Sequence, residues 1–157
     1  MHIRSATEED VPTILRFIRS LADYEHMLDE VVATEGSLRR TLFGPRRYAE
    51  VLLGEIEGVP VGFALFFHNY STFLGRPGIY LEDLFIEPDW RGRGYGKALL
   101  SRLAALAVER DCGRLEWSVL DWNTPAIDFY KNLGAAPMDG WTTFRLTGAA
   151  LAALGGL

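Results

Sequence analysis

Tyr80-Leu81-Glu82-Asp83-Leu84-Phe85-Ile86, followed by Glu87-Pro88-Asp89-Trp90 and then Arg91-Gly92-Arg93-Gly94-Tyr95-Gly96-Lys97, is the stretch on which the reading of this chain turns. The apolar run Ile79 to Ile86 predicts a strand. After it, Leu99, Leu100, Leu103, Leu106 and Ala107 recur at helical spacing and predict a helix from about Gly96 to Arg110. Strand, short loop, glycine-rich turn and helix is an arrangement that binds phosphate. Glycine lets the backbone approach a ligand, successive N–H groups face the anion, and the helix N-terminus adds partial positive charge. Arg91, Arg93 and Lys97 bring full charges to the same turn.

Two familiar phosphate motifs fail on named residues. A nucleotide-hydrolase loop needs Gly-Lys followed by Ser or Thr to hold Mg²⁺, and here Gly96-Lys97 is followed by Ala98. A dinucleotide fingerprint starting at Gly92 and Gly94 needs Gly or Ala at position 97, which is Lys. Arg-x-x-Gly-x-Gly remains, as Arg91, Gly94 and Gly96. The plainer reading, a tight turn with solvated arginines, leaves Asn123 and Tyr130 downstream without an account.

Outward from this stretch the chain reads as a mixed α/β domain over residues 1–157, without repeats or a low-complexity linker. His2 to Ser5 reads as a short strand. Thr7-Glu8-Glu9-Asp10 reads as a helix start, and Val11, Ile14, Leu15, Ile18, Leu21 and Ala22 form an apolar stripe after it. Thr34 caps a second helix to about Leu42. Tyr48–Ile56 and Pro60–Tyr70 read as strands joined at Glu57-Gly58, and Ser71–Gly78 as a loop. Leu115–Leu120 is a further strand. Asn123-Thr124-Pro125 opens a helix that ends at Asn132-Leu133-Gly134, and Thr142–Leu146 is a last strand. The tail from Gly148 to Leu157 is small and apolar, and no function is assigned to it.

Composition narrows the function classes. A net charge of −5 disfavours nucleic acid, whose phosphates demand a basic footprint. No apolar run approaches the ~20 residues of a membrane span, and the first residues lack a signal-peptide layout, so a cytoplasmic protein is expected. The single cysteine, Cys112, excludes an internal disulfide, and the three scattered histidines lack ligand spacing. No metal is expected. Glu82 and Asp83 interrupt an apolar strand, where carboxylates are costly unless they have a task or a partner. Alternation puts them on opposite faces.

Arg91, Gly94 and Gly96, with Tyr80–Ile86 ahead and Trp122–Lys131 behind, resemble the GNAT superfamily of N-acetyltransferases. Leu21-Ala22-Asp23-Tyr24-Glu25-His26-Met27 resembles its spermidine/spermine (diamine) branch. The likeness covers about Ile3 to Leu146. It implies an α/β (α+β) GNAT-like domain with a mixed sheet of about six to seven strands and about four helices. It also implies acetyl-CoA as co-substrate, a small cationic amine (diamine, polyamine or amino-acid-like amine) as acceptor, direct attack in a ternary complex, and a homodimer.

In this resemblance Arg91, Gly92, Arg93, Gly94, Tyr95, Gly96 and Lys97 hold the CoA pyrophosphate. The backbone of Leu84, Phe85 and Ile86 pairs with the pantetheine arm, Asn123 binds the same arm, and Lys131 reaches toward the phosphates. Glu82 is the water-mediated base, Tyr130 the acid that protonates the CoA sulfur, and Tyr24, Glu25 and Asp83 hold the amine. Alkyl amines titrate near ~10.4, so a base must take a proton before attack, and a phenol near ~10 is only a modest donor to a thiolate.

Simpler readings stand beside these. Glu82 and Asp83 can be paired carboxylates, Tyr130 a half-buried helix aromatic, and Asn123 a helix cap. Glu25 and Asp29, if helical, form an ordinary i, i+4 acidic face. Where the diamine branch carries an acid and, two residues later, Trp, this chain has Ser71 and Phe73, which weakens the case for a long polyamine. A non-catalytic acyl-CoA-binding module and a protein Lys or N-terminal acetyltransferase are the competing functions.

Overall fold

The computed structural model describes residues 1–157 and divides into two compact units, Met1–Ser118 and Val119–Leu157. The first holds a five-stranded sheet in sequence order: β1 (His2–Ser5), β2 (Glu50–Ile56), β3 (Val59–Ser71), β4 (Arg76–Ile86) and β5 (Leu115–Trp117). Strands β1 to β4 are antiparallel neighbours, and β5 joins β4 in parallel. The β2–β3 turn is the one Glu57-Gly58 announces: both residues have positive φ, 50° and 79°, which matches the right-handed twist of the flanking strands.

Three helices complete the unit: α1 (Val11–Tyr24), α2 (Glu35–Phe43) and α3 (Tyr95–Glu109). The α1 stripe buries Val11, Ile14, Leu15 and Phe17 against Leu38 and Leu42 of α2 and Val51, Leu53, Phe63 and Phe85 of the sheet. Phe17 stacks on Phe63 at 5.5 Å between ring centres and leans on Phe85 at 5.9 Å. Strand alternation turns Leu52, Ala64 and Ile86, also buried, the other way. Helix α3, whose Leu99, Leu100, Leu103, Leu106 and Ala107 are buried, packs on β4, β3, β2 and β5. Arg4 fixes the start of the chain: it grips Asp10 through two bonds of 2.8 and 2.9 Å and also bonds Glu55 of β2.

Five strands replace the expected six to seven, and five helices the expected four. The loop expected over Ser71–Gly78 is a tight hairpin tip, because β3 runs on to Ser71 and β4 begins at Arg76. Ser71 is buried there, and its Oγ accepts from Leu74 N at 3.2 Å, as a turn residue does. The expected strand Leu115–Leu120 stops at Trp117.

In Val119–Leu157 the helices are α4 (Thr124–Asn132) and α5 (Gly148–Leu154), and Thr142–Leu146 is not a strand. A strand needs a neighbour to take up its backbone bonds, and this unit contains no other strand for it to join. The tail left unassigned is the Ala/Leu-rich α5, begun at Thr147.

Candidate active site

The glycine-rich turn lies between β4 and α3, after a single 3-10 turn at Pro88–Trp90. Gly92 and Gly94 have φ of 75° and 81°, the left-handed region that side chains resist. Gly96 is different. It sits inside the first turn of α3 without a positive φ, and a Cβ built there meets no atom within 4 Å. Neither strain nor packing within the protein demands glycine at 96, and the open space over it would admit a ligand close to the backbone. The first bond of α3 runs from Ala98 N to Gly94 O, so the N–H groups of Tyr95, Gly96 and Lys97 lie ahead of the helical ladder. Such a helix start is suited to an anion.

The two arginines of the turn differ. Arg93 makes short-range contacts, donating to Asp89 O at 3.3 Å and covering the Trp90 ring at 4.9 Å. Arg91 donates from Nε to Ile86 O at 2.8 Å, and its guanidinium carbon lies 5.0 Å from the Tyr24 ring centre and 5.4 Å from that of Phe85. Lys97 is exposed.

Strand β4 offers a backbone edge beside the turn. Only Ile79–Leu81 pair with β5, whereas β4 keeps its β3 partners as far as Ile86. The edge from Glu82 to Ile86 on the β5 side therefore has no strand partner, and an extended chain can add to it. The β3–β4 register also slips here: Leu65 faces Asp83 and Phe66 faces Leu81, which leaves Glu82 as the extra residue of a bulge. A bulge re-aims side chains, so strict alternation does not hold at the two acids. Glu82 is exposed and Asp83 half-buried.

Tyr24 closes α1, and Glu25 is its C-cap, with its N–H bonded to Leu21 O at 2.9 Å. His26 then takes a φ of 61° and ends the helix, and Leu28–Glu30 form a separate 3-10 turn. Glu25 and Asp29 therefore do not share a continuous helical face. Instead, the charge of Glu25 acts on Asp83. Burial, followed by the charges of Glu82 and Glu25, pushes the Asp83 carboxyl up from its ordinary 3.8 to about 6. Burial also raises Glu25. A half-buried carboxyl under the charge of two others is a setting that an organic cation would relieve.

In the second unit, Asn123 caps α4, accepting from Ala126 N at 3.4 Å, with Pro125 in the first turn. Tyr130 is half-buried on the same helix, its ring 5.5 Å from that of Phe129. Lys131 is exposed in the last turn, where a cation suits the helix end. Sequence reasoning missed the engagement of Arg91 with Tyr24, and no spacing rule announces a contact between residues so far apart in the chain.

An anion-binding turn, an open strand edge and a cluster of carboxylates suit an enzyme that holds a phosphate-bearing donor next to a cationic acceptor. The chain belongs to the acetyltransferase (GNAT) family, whose profile matches residues 16–135. It is 41% identical over 165 residues to a thialysine N-epsilon-acetyltransferase of Bos taurus, covering 98% of this chain and 96% of that protein. An L-ornithine N5-acetyltransferase of Arabidopsis thaliana, NATA1, is 36% identical, with 97% of this chain and 86% of that protein covered. A spermidine/spermine N(1)-acetyltransferase-like protein of Homo sapiens is 33% identical over 91% of this chain and 22% of its own length. The chain is thus an N-acetyltransferase, similar to the diamine branch that Leu21–Met27 pointed to.

Proposed function

We propose that the chain transfers the acetyl group of acetyl-CoA to the terminal primary amine of a small cationic acceptor, an amino-acid-like amine before a long polyamine. The observation that carries this reading is the half-buried Asp83, under the charges of Glu82 and Glu25, at the open edge of β4. Acetyl-CoA supplies an activated acyl carbon and a thiolate leaving group. The N–H groups at the start of α3, with Arg91, Arg93 and Lys97, would hold its pyrophosphate, and the fit rests on the open space over Gly92, Gly94 and Gly96. The Leu84–Ile86 backbone would carry the pantetheine arm, with Asn123 on the same arm and Lys131 toward the phosphates.

Asp83 and Glu25, with Tyr24, hold the ammonium group of the acceptor. Glu82, exposed at the bulge, takes one of its protons through water, and the freed lone pair attacks the acyl carbon directly. Tyr130 Oη then gives its proton to the departing sulfur. The roles of Glu82 and Tyr130 rest on the family resemblance.

The preference for a shorter acceptor has two supports. Ser71 is committed to its hairpin, and Phe73, at the tip, is fully exposed. The relatives named for thialysine and L-ornithine are named for reaction at the N-epsilon and N5 nitrogens. A single domain over 1–157 is supported by the family match running through Ser118–Val119. A cytoplasmic homodimer completes the proposal, and light scattering that finds a monomer at micromolar concentration would remove the dimer.

Thiol release from acetyl-CoA, measured over a panel of thialysine, ornithine, lysine, putrescine and spermidine, tests the acceptor. Turnover highest on the amino acids is expected. Acetyl-CoA binding by calorimetry with no thiol release on any amine would overturn the proposal.

A further inference from the structure

We infer that Arg91 is a positioning residue that fastens the phosphate-binding turn to the acceptor-binding end of α1, so that the two substrate subsites are set by one side chain. The inference rests on the proposed assignment of Tyr24 and Glu25 to the acceptor.

The geometry is specific. Arg91 Nε is committed to the carbonyl of Ile86, at the end of β4, by a 2.8 Å bond. Its planar guanidinium lies within cation–π range of two rings, Tyr24 at 5.0 Å and Phe85 at 5.4 Å. Phe85 is buried in the core, so one wall of this sandwich is rigid. Tyr24 is the last residue of α1 and is bonded directly to Glu25, whose neighbour His26 leaves the helix at a φ of 61°. At this helix end the backbone makes local bonds: Glu25 N to Leu21 O, His26 N to Asp23 O and Met27 N to Ala22 O. A cation stacked on Tyr24 fixes the direction in which Glu25 leaves the helix, and hence its distance from Asp83. Arg93, by contrast, reaches only Asp89 and Trp90 within its own turn.

Lysine keeps the charge but has no planar fork. It cannot bond the Ile86 carbonyl and hold its charge over both rings at once. Arg91→Lys therefore preserves the attraction for phosphate and removes the clamp. The expected result is an amine KM raised about tenfold, a larger change than that in acetyl-CoA Kd. The defect should persist with S-acetylpantetheine, which carries no pyrophosphate. A role on phosphate alone makes the amine-KM defect vanish with that donor, and this outcome overturns the clamp. Tyr24→Leu should reproduce the Arg91→Lys defect, and the double variant should be no worse than either.

A readout free of turnover separates this inference from its parent. Hydrogen exchange of the unliganded protein should be faster over residues 22–30 in Arg91→Lys than in the wild type, and unchanged there in Arg93→Lys. Failure of the wild type to acetylate any amine would remove the acceptor assignment. Unchanged exchange over residues 22–30 in Arg91→Lys would remove the clamp, whatever the turnover.

Discussion

Replacing Asp83 by Asn should make the protein more stable at neutral pH and worse at its task. In the folded protein the Asp83 carboxyl titrates at about 6 instead of 3.8, through burial first and then the charges of Glu82 and Glu25. A carboxyl whose pKa rises on folding binds its proton more tightly in the native state. Native stability therefore falls as pH rises from the unfolded value toward the folded one, and stays lowered above it. A shift of 2.2 (6 minus 3.8) corresponds to about 3 kcal/mol at full ionisation, of which about 2.5 kcal/mol develops between roughly pH 4 and 7.5. Asn cannot ionise, so this pH-dependent loss disappears in the variant. The quantity to measure is the difference in Tm between Asp83→Asn and wild type at about pH 4 and again at about pH 7.5. For a chain of this size that difference should grow in favour of the variant by about 5–10 °C. Urea midpoints at both pH values provide the check in free energy. A Tm difference that is the same at the two pH values would refute the argument, since burial and like charge would then not be acting on Asp83. The variant should also lose the ionic bond to the acceptor, raising amine KM at neutral pH by about tenfold or more, the worth of a charge-assisted hydrogen bond.

Three further outcomes are expected. Tyr130→Phe should lower kcat by about a hundredfold while leaving acetyl-CoA Kd within about twofold, as removal of a general acid does; steady-state thiol release and calorimetry measure the two, and unchanged turnover would take Tyr130 out of the reaction. Gly96→Ala should stabilise the fold by about 0.5–1 kcal/mol, since it places a better helix former where no atom lies within 4 Å, and yet weaken acetyl-CoA binding about tenfold or more; denaturant melts paired with calorimetry test it, and unimpaired binding would clear Gly96 of a ligand role. Gly62→Ala should destabilise by about 1–3 kcal/mol, because a Cβ there would sit 2.5 Å from Ile86 Cδ1 and 2.6 Å from Phe85 O; a change in Tm below about 2 °C would show that the end of β4 gives way freely.

The parts legible in the sequence are those whose signal is local. The α1 stripe, the Thr34 cap, the Glu57-Gly58 turn and the loop from Arg91 to Gly96 each carry their own chemistry within a few residues, and each stands where the residues put it. Segments whose state depends on a neighbour were not legible. Thr142–Leu146 has the composition of a strand but lacks a partner strand in its unit, and Leu115–Leu120 pairs for only three residues. Gly148–Leu154 has neither a strong periodicity nor polar residues to mark a helix face, and it forms a helix on alanine and leucine propensity. At the site, Glu82 and Asp83 announce themselves as acids in an apolar run. The charge of Glu25 on Asp83 and the stacking of Arg91 on Tyr24 join the end of α1 to β4 and to the turn after it, and no window of sequence contains both sides of either.

The unpaired edge of β4 has a consequence for how such a protein changes over time. Every residue except proline offers the same N–H and C=O to a chain laid along a strand, so the Leu84–Ile86 edge presents the same bonding pattern whatever side chains stand there. Substitutions at these positions alter the packing of the sheet against its helices and leave the edge itself intact. The acids at Glu25 and Asp83 have no such insulation, because what they bind depends on their own side chains. Under the proposed function, the donor end of the site is therefore buffered against mutation and the acceptor end is exposed to it, a division under which new acceptors can be explored while the donor stays the same.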